Sequence, residues 1–273
     1  MSSIWNIVKN KVSDRKGDVK AKSGNQSKLK AFQDLECKYE GFFTHEQAVL
    51  WDCLLSFQAS ENLTGDMLEI GVYKGRSALL SALHLNPKEE FVLIDGTPFI
   101  HEAEKSLNPI LGKRGVWINK MSFEVASNDL KRAGGFRWIH IDGEHTGRAV
   151  THDLGITEPH LADSGILVLD DFFSPMYPQL TEAVYSWLAS HRFRLSMFLC
   201  GWNKAYLCRP QFAPTYRKFI VENLAKDLHL RELHDFTITK TATIEETSAF
   251  GICPRLRDQD YYGLDSSPQT LPL

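Results

Sequence analysis

What the 273-residue sequence lacks narrows its nature first. Its five cysteines, at positions 37, 53, 200, 208 and 253, include no Cys-x-x-Cys pair, which excludes the usual zinc cage and dithiol motif. An odd, scattered set fits reduced thiols in a cytoplasm better than a disulfide framework. No apolar run approaches the ~18 residues of a membrane span. The first thirty residues hold no apolar stretch of secretory-signal length. A cytoplasmic protein without a membrane span is therefore expected. No Gly-x-Gly-x-x-Gly is present, so a dinucleotide pyrophosphate has no cradle of the common kind. Internal repeats are absent as well.

What is there is ordinary in bulk, with 43% hydrophobic and 24% charged residues. The charge is unevenly spread. Residues 1–30 carry a net of +6 and the remaining 243 a net of −9. A basic arm can bind nucleic acid or anionic membrane. The Gly/Ser/Asn/Gln content of this one favours a solvated tail with a short helix over residues 2–12. Three regions follow: a basic arm over 1–41, a main domain over 42–209, and a C-terminal helical appendage with a polar tail over 210–273.

From Phe42 the pattern tightens. "THEQAVLWDCLLSFQAS" sets Ala48, Leu50, Trp51, Leu54, Leu55 and Phe57 on a helical period, with Thr44 as N-cap and Gln47 at the capping-box position. Short apolar runs then recur: "MLEIGV", "FVLID", "GVWIN", "RWIHID" and "GILVLDD", each followed by a helical stretch. Their spacing equals a strand, a turn and a helix, and near-continuous apolar strands are covered on both faces. A helix over 179–190 leads to "FRLSMFL" and "KAYLCR", joined as a hairpin by Cys200-Gly201-Trp202-Asn203. The expected fold is α/β: a doubly wound, mostly parallel, Rossmann-like sheet of seven strands, with one antiparallel strand near the C-terminal end. A further helix is expected over 214–228.

In such a sheet, ligands sit beyond the carboxyl ends of the strands. The first strand ends "EIGVYKGRSALL". There Gly71 and Gly75 permit a tight turn, and Ser77 opens a helix whose N-terminal amides can hold an anion. Glu69, inside the strand, suits a cationic or ammonium-bearing ligand and repels a pyrophosphate. Asp95 ends the second strand, placed either to accept two ribose hydroxyls or to form a turn before Gly96. Ser122 follows the third strand, where a hydroxyl could meet a purine. The fourth ends in Asp142-Gly143-Glu144-His145, and the fifth in Asp170-Asp171.

"MLEIGVYKGRSALLSAL", "VLIDGTPF", "WIHIDGEHTGRAVTHDL" and "GILVLDDF", in that order, resemble the class I S-adenosylmethionine-dependent methyltransferases over about residues 65–208. Within that class the chain is similar to the metal-dependent sugar O-methyltransferases of macrolide biosynthesis. The resemblance implies that Glu69, Gly71, Gly75 and Ser77 surround the methionine half of S-adenosylmethionine. It implies further that Asp95 takes the ribose, that Ser122 lies by the adenine, and that Asp142 borders the donor. It makes Asp142, Asp170 and Asp171 ligands of Mg²⁺ or Mn²⁺, and His145 the general base. Relatives often carry Glu-Asp or Asp-Asn where this chain has Asp170-Asp171, so ligation by Asp142 and Asp171 is the firmer expectation.

Three carboxylates gathered at adjacent strand ends repel one another, and a hard cation relieves that repulsion. The implied reaction is O-methylation of a sugar or other small hydroxylated acceptor, by an enzyme that can assemble as a homo-oligomer. Three other readings were weighed. An NAD-dependent oxidoreductase conflicts with the missing glycine motif and with Glu69. A nucleic-acid methyltransferase recruited by the basic arm lacks the Asn/Asp-Pro-Pro-Tyr/Phe of amino-group methylation after its fourth strand. A non-catalytic S-adenosylmethionine-binding subunit has no need of three carboxylates and His145.

Overall fold

The structure, a computed structural model, describes residues 28–240, 249–256 and 258–263. The short helix expected over 2–12 and the tail beyond 263 lie outside the described residues. A helix over 28–35 (α1) leads to α2, His45–Ser60. Thr44 caps α2 as its sequence suggests: the Gln47 amide donates to Thr44 Oγ1 at 3.3 Å, and the Thr44 amide donates to Gln47 Oε1 at 2.9 Å. Nearly all of α2 is buried, because its apolar residues surround the helix instead of striping one side.

The five expected strands follow, four of them leading into an α-helix, whereas the third leads only into 3-10 turns over Ser122–Glu124 and Ser127–Leu130. Strands β1 (Asp66–Ile70), β2 (Phe91–Ile94), β3 (Gly115–Ile118), β4 (Phe136–Ile141) and β5 (Leu161–Asp170) run parallel. Helices α3 (Arg76–His84), α4 (Phe99–Leu111), α5 (Gly147–Thr157) and α6 (Pro178–Ser190) connect or follow them. Strands β6 (Ser196–Gly201) and β7 (Lys204–Cys208) form the expected hairpin, and β7 runs antiparallel to both β6 and β5. Trp202 and Asn203, at φ 48° and 66°, make its two-residue turn, the left-handed pair that fits a twisted hairpin.

Alternation along the strands divides the core. Met67, Phe91, Trp138, Val168 and Tyr206 pack under α2 and α3, while Leu68, Val92, Ile139, Leu167 and Leu207 pack under α5 and α6. Burial on both faces explains the continuous apolar runs in the sequence.

The sheet is wider than the seven strands expected. Its order is β10-β8-β9-β6-β7-β5-β4-β1-β2-β3, where β8 (Thr237–Thr239), β9 (Phe250–Cys253) and β10 (Tyr261–Tyr262) come from the C-terminal region. That region also holds the expected helix, as α7 (Ala213–Phe219), a π-turn (Ile220–Leu224) and α8 (Ala225–His229) in one run. It is not helical throughout, because β9 adds in parallel to the open edge of β6. At the contact, Gly201 is obligatory: a Cβ there would lie 2.0 Å from the Ile252 carbonyl oxygen. Strands of two to four residues carry too little alternation to stand out in a sequence. No helix among the described residues is long and apolar enough to cross a membrane.

Candidate active site

Strand order reverses at β1, between β2 and β4, and a cleft of about 420 Å³ opens there beyond the strand tips. Gly71, at φ +84°, lets the chain leave β1 against the tip of β4. A Cβ on it would sit 1.7 Å from the Asp142 carbonyl oxygen. Gly75, at φ +87°, is the left-handed N-cap of α3 and allows α4 to approach, since an added Cβ would lie 3.0 Å from Leu107 Cδ1. Gly71, Ser77, Asp95, Ser122, Asp142 and His145 all line the cleft.

Asp95 is held by its surroundings. Its Oδ2 accepts from the Tyr73 amide at 2.7 Å, and its Oδ1 from the Thr97 amide and hydroxyl at 2.7 and 2.6 Å. Oδ1 is thereby filled, whereas Oδ2 keeps one free acceptor position towards the cleft. Glu69 lies beneath the surface, fully buried, and its Oε1 accepts from Ser77 Oγ at 2.5 Å. Its Oε2 has no hydrogen-bond partner. Glu69 therefore bears on the cleft through Ser77 rather than as an exposed wall.

On the other side of the cleft, His145 Nε2 stands 3.4 Å from Asp142 Oδ1 and 3.2 Å from Asp171 Oδ2. The Tyr177 ring, 4.3 Å away between centroids, covers the imidazole, and Gln179 Nε2 donates to the His145 carbonyl at 2.9 Å. Burial and the charge of Asp170 push Asp142 up to about 7, against the pull of His145. A hydrogen bond that the protonated ring donates to Asp142 raises His145 above its ordinary value, outweighing the burial of the ring. One donor atom from each of Asp142, His145 and Asp171 can be chosen so that all three lie within 4.8 Å of one another.

Behind this outer group runs a buried line of charge. Lys204, whose side chain has 0% exposure, donates to Asp170 Oδ2. His140 lies between acids, with Nε2 3.6 Å from Asp170 Oδ2 and Nδ1 3.3 Å from Glu69 Oε1. Its ring meets Trp51 of α2 edge-on at 4.8 Å. Burial opposes a charge on His140, but Asp170 and Glu69 outweigh it and raise the imidazole to about 9. Burial likewise opposes ionisation of Asp170, and Lys204 and His140 reverse the effect, holding it well below the usual carboxylate range.

Asp142, Asp170 and Asp171 lie near one another at the tips of β4 and β5; Asp142 and Asp170 line the cleft, and Asp170 also pairs with Lys204 and approaches His140. Sequence reasoning assigned no role to Asn203 or Lys204, which the hairpin turn carries to the site. It also passed over residues 40–43, which line the cleft mouth. The hairpin itself was legible, and the reach of its turn was the available signal. The faces of His140 and Lys204 depended on strand order.

Comparison with known proteins agrees with this geometry. Residues 68–172 match the family model described as a methyltransferase domain. No curated protein matches the sequence. Among solved structures, the Podospora anserina methyltransferase PaMTH1, in its SAH-bound form, superposes with a TM-score of 0.51 at 18% identity, over 67% of this chain and 87% of that one. The TDP-rhamnose 3′-O-methyltransferase CalS11 of calicheamicin biosynthesis gives 0.50 at 16% identity, over 67% and 93%. These likenesses establish the fold. The matched domain covers β1 to the end of β5, the part of the sheet that surrounds the cleft.

Proposed function

We propose that this chain is an S-adenosylmethionine-dependent methyltransferase that moves the methyl group to a hydroxyl oxygen of a sugar or other small hydroxylated molecule. The observation that carries the reading is His145 Nε2, set within 3.2 and 3.4 Å of two carboxylates at the edge of the cleft. S-adenosylmethionine, when bound, supplies an electrophilic methyl on a sulfonium. Gly71 and Ser77 enclose its methionine half, with Gly75 shaping the turn and Glu69 fixing Ser77 from below. The free acceptor position of Asp95 takes a ribose hydroxyl, and Ser122 borders the adenine.

The acceptor lies against Asp142 and His145. As the hydroxyl oxygen would bond to the methyl carbon, the carbon–sulfur bond would break and the sulfur leave as the neutral thioether of S-adenosylhomocysteine, while the hydroxyl proton passes to His145 Nε2 and Asp142 and Asp171 stabilise the imidazolium. Tyr177 keeps the ring in place and excludes water from one face. Holding acceptor and donor in line supplies a large part of the acceleration.

The carboxylates of Asp142 and Asp171 would hold a divalent cation, which leaves His145 Nε2 to take the proton. When bound, such an ion makes an acceptor hydroxyl more acidic. Mg²⁺ and Mn²⁺ suit this donor set. Five free thiols support a reducing, cytoplasmic setting for the enzyme.

Calorimetric titration of the purified chain with S-adenosylmethionine, and with NAD as a control, tests the reading. Binding of the first and not of the second is expected, followed by release of S-adenosylhomocysteine when hydroxylated acceptors are added. Binding of NAD alone would remove the proposal.

A further inference from the structure

Asp170 and Asp171 are neighbours in sequence, yet the fold treats them oppositely. Each oxygen of Asp170 is engaged: Oδ2 accepts from Lys204 Nζ, and Oδ1 accepts from the Asp171 amide at 2.8 Å. Lys204 has nowhere else to go. Its side chain has 0% exposure, and its ammonium lies 5.7 and 5.6 Å from the ring centroids of Phe43 and Trp51. Glu69, His140, Asp170 and Lys204 lie in one buried line, with His140 between the two acids and Lys204 beyond Asp170.

Asp171 leaves the strand in a left-handed conformation, φ +54°, which turns its side chain out of the β5 row. Asn203 Nδ2 donates to its Oδ1 at 2.7 Å, and its Oδ2 is left facing His145. Asn203 also accepts, through its carbonyl, from the Phe172 amide at 3.0 Å, which ties the hairpin turn to the loop that carries Asp171. One two-residue step of the β6–β7 turn therefore handles both aspartates.

We propose that this turn sorts the two acids: Lys204 pairs with Asp170 and so neutralises it towards a second cation, Asn203 presents Asp171, and the carboxylates that face a cation beside His145 are Asp142 and Asp171. Asn203 and Lys204 are positioning residues of the methyltransferase. The inference rests on the proposed function and departs from the three-aspartate set implied by resemblance. The physical reason is competition. An ammonium already bonded to Asp170 Oδ2 excludes a second cation from that oxygen, and taking Lys204 away strands a buried carboxylate.

The test uses the full chain, Mn²⁺ as the ion, the loss of the free-ion spin-resonance signal to read its binding, and calorimetry to read S-adenosylhomocysteine binding. Asp171→Asn is expected to weaken Mn²⁺ binding by about tenfold or more, and Asn203→Ala to weaken it less, in the same direction. Asp170→Asn combined with Lys204→Met removes the interior pair together, and that double variant should keep Mn²⁺ affinity within about threefold of the wild type. S-adenosylhomocysteine affinity should stay unchanged in Asp171→Asn and Asn203→Ala, a split that mere loss of fold would not give.

The proposal is overturned if the double variant loses Mn²⁺ as far as Asp171→Asn does, or if the wild type takes up no Mn²⁺ at millimolar concentration. Should the double variant fail to fold, wild-type Mn²⁺ affinity in both Asp171→Asn and Asn203→Ala overturns it instead. Failure of the methyltransferase reading is separate: there the wild type would not bind S-adenosylhomocysteine.

Discussion

Asp142 carries three demands at once: it borders the cleft, holds His145, and is pushed up to about 7 by burial and by the charge of Asp170. Asp142→Ala should reduce turnover by orders of magnitude while S-adenosylhomocysteine still binds, read by steady-state kinetics beside calorimetry. Unchanged turnover at saturating donor would take Asp142 out of the reaction. Gly71 answers to a different constraint. Gly71→Ala forces a Cβ to within 1.7 Å of the Asp142 carbonyl oxygen at a positive φ, so a loss of roughly 4 kcal/mol or more is expected in chemical unfolding. His140 gives the fold a pH dependence of known sign. Its folded value of about 9 lies above the ordinary ~6.5, so its contribution is complete below ~6.5 and is lost as pH rises through 9. Thermal unfolding between pH 6 and 10 should show the melting temperature falling across that interval. A flat profile would mean that His140 is neutral in the folded protein.

The elements show where sequence reading succeeds and where it stops. The capping box of α2 and the tight turn after β1 are local, so Thr44, Gln47, Gly71 and Gly75 announced themselves through spacing alone. The tips of β1, β2, β4 and β5 were legible for a similar reason, because apolar runs ending in acids mark both the strand and its exposed end. Asn203 and Lys204 were not, since their role comes from the pairing of β7 against β5, a contact between segments 34 residues apart. Nor did β8, β9 and β10 declare themselves, being short segments that depend on the edge they cover. Thr44→Ala tests the local kind: it should cost about 1 kcal/mol in urea unfolding with no change in slope. A slope change would show that the cap supports more than its own helix. Gln47 reaches further, because its Nε2 also donates to the Trp202 carbonyl at 2.8 Å and joins the start of α2 to the hairpin turn.

Across the whole molecule, the C-terminal region behaves as part of the core. Tyr216, Phe219, Leu228, Phe236, Ile238, Phe250 and Ile252 are buried, most of them against the face that α2 covers. A chain ending at residue 209 would expose that surface together with the bare edge of β6, and edge strands left open invite association. Such a truncation should elute as aggregates in size-exclusion chromatography, whereas a soluble monomer with native circular dichroism would show that the first 209 residues stand alone. The interior ion pair has a consequence on a longer timescale. Neither Asp170 nor Lys204 tolerates replacement by itself, because the survivor would be a naked charge among Phe43, Trp51 and Tyr206. Descent with modification can cross that barrier only by exchanging both positions together, or by passing through an ancestor in which another cation had already taken the lysine's place. The two sites should therefore be inherited as one character.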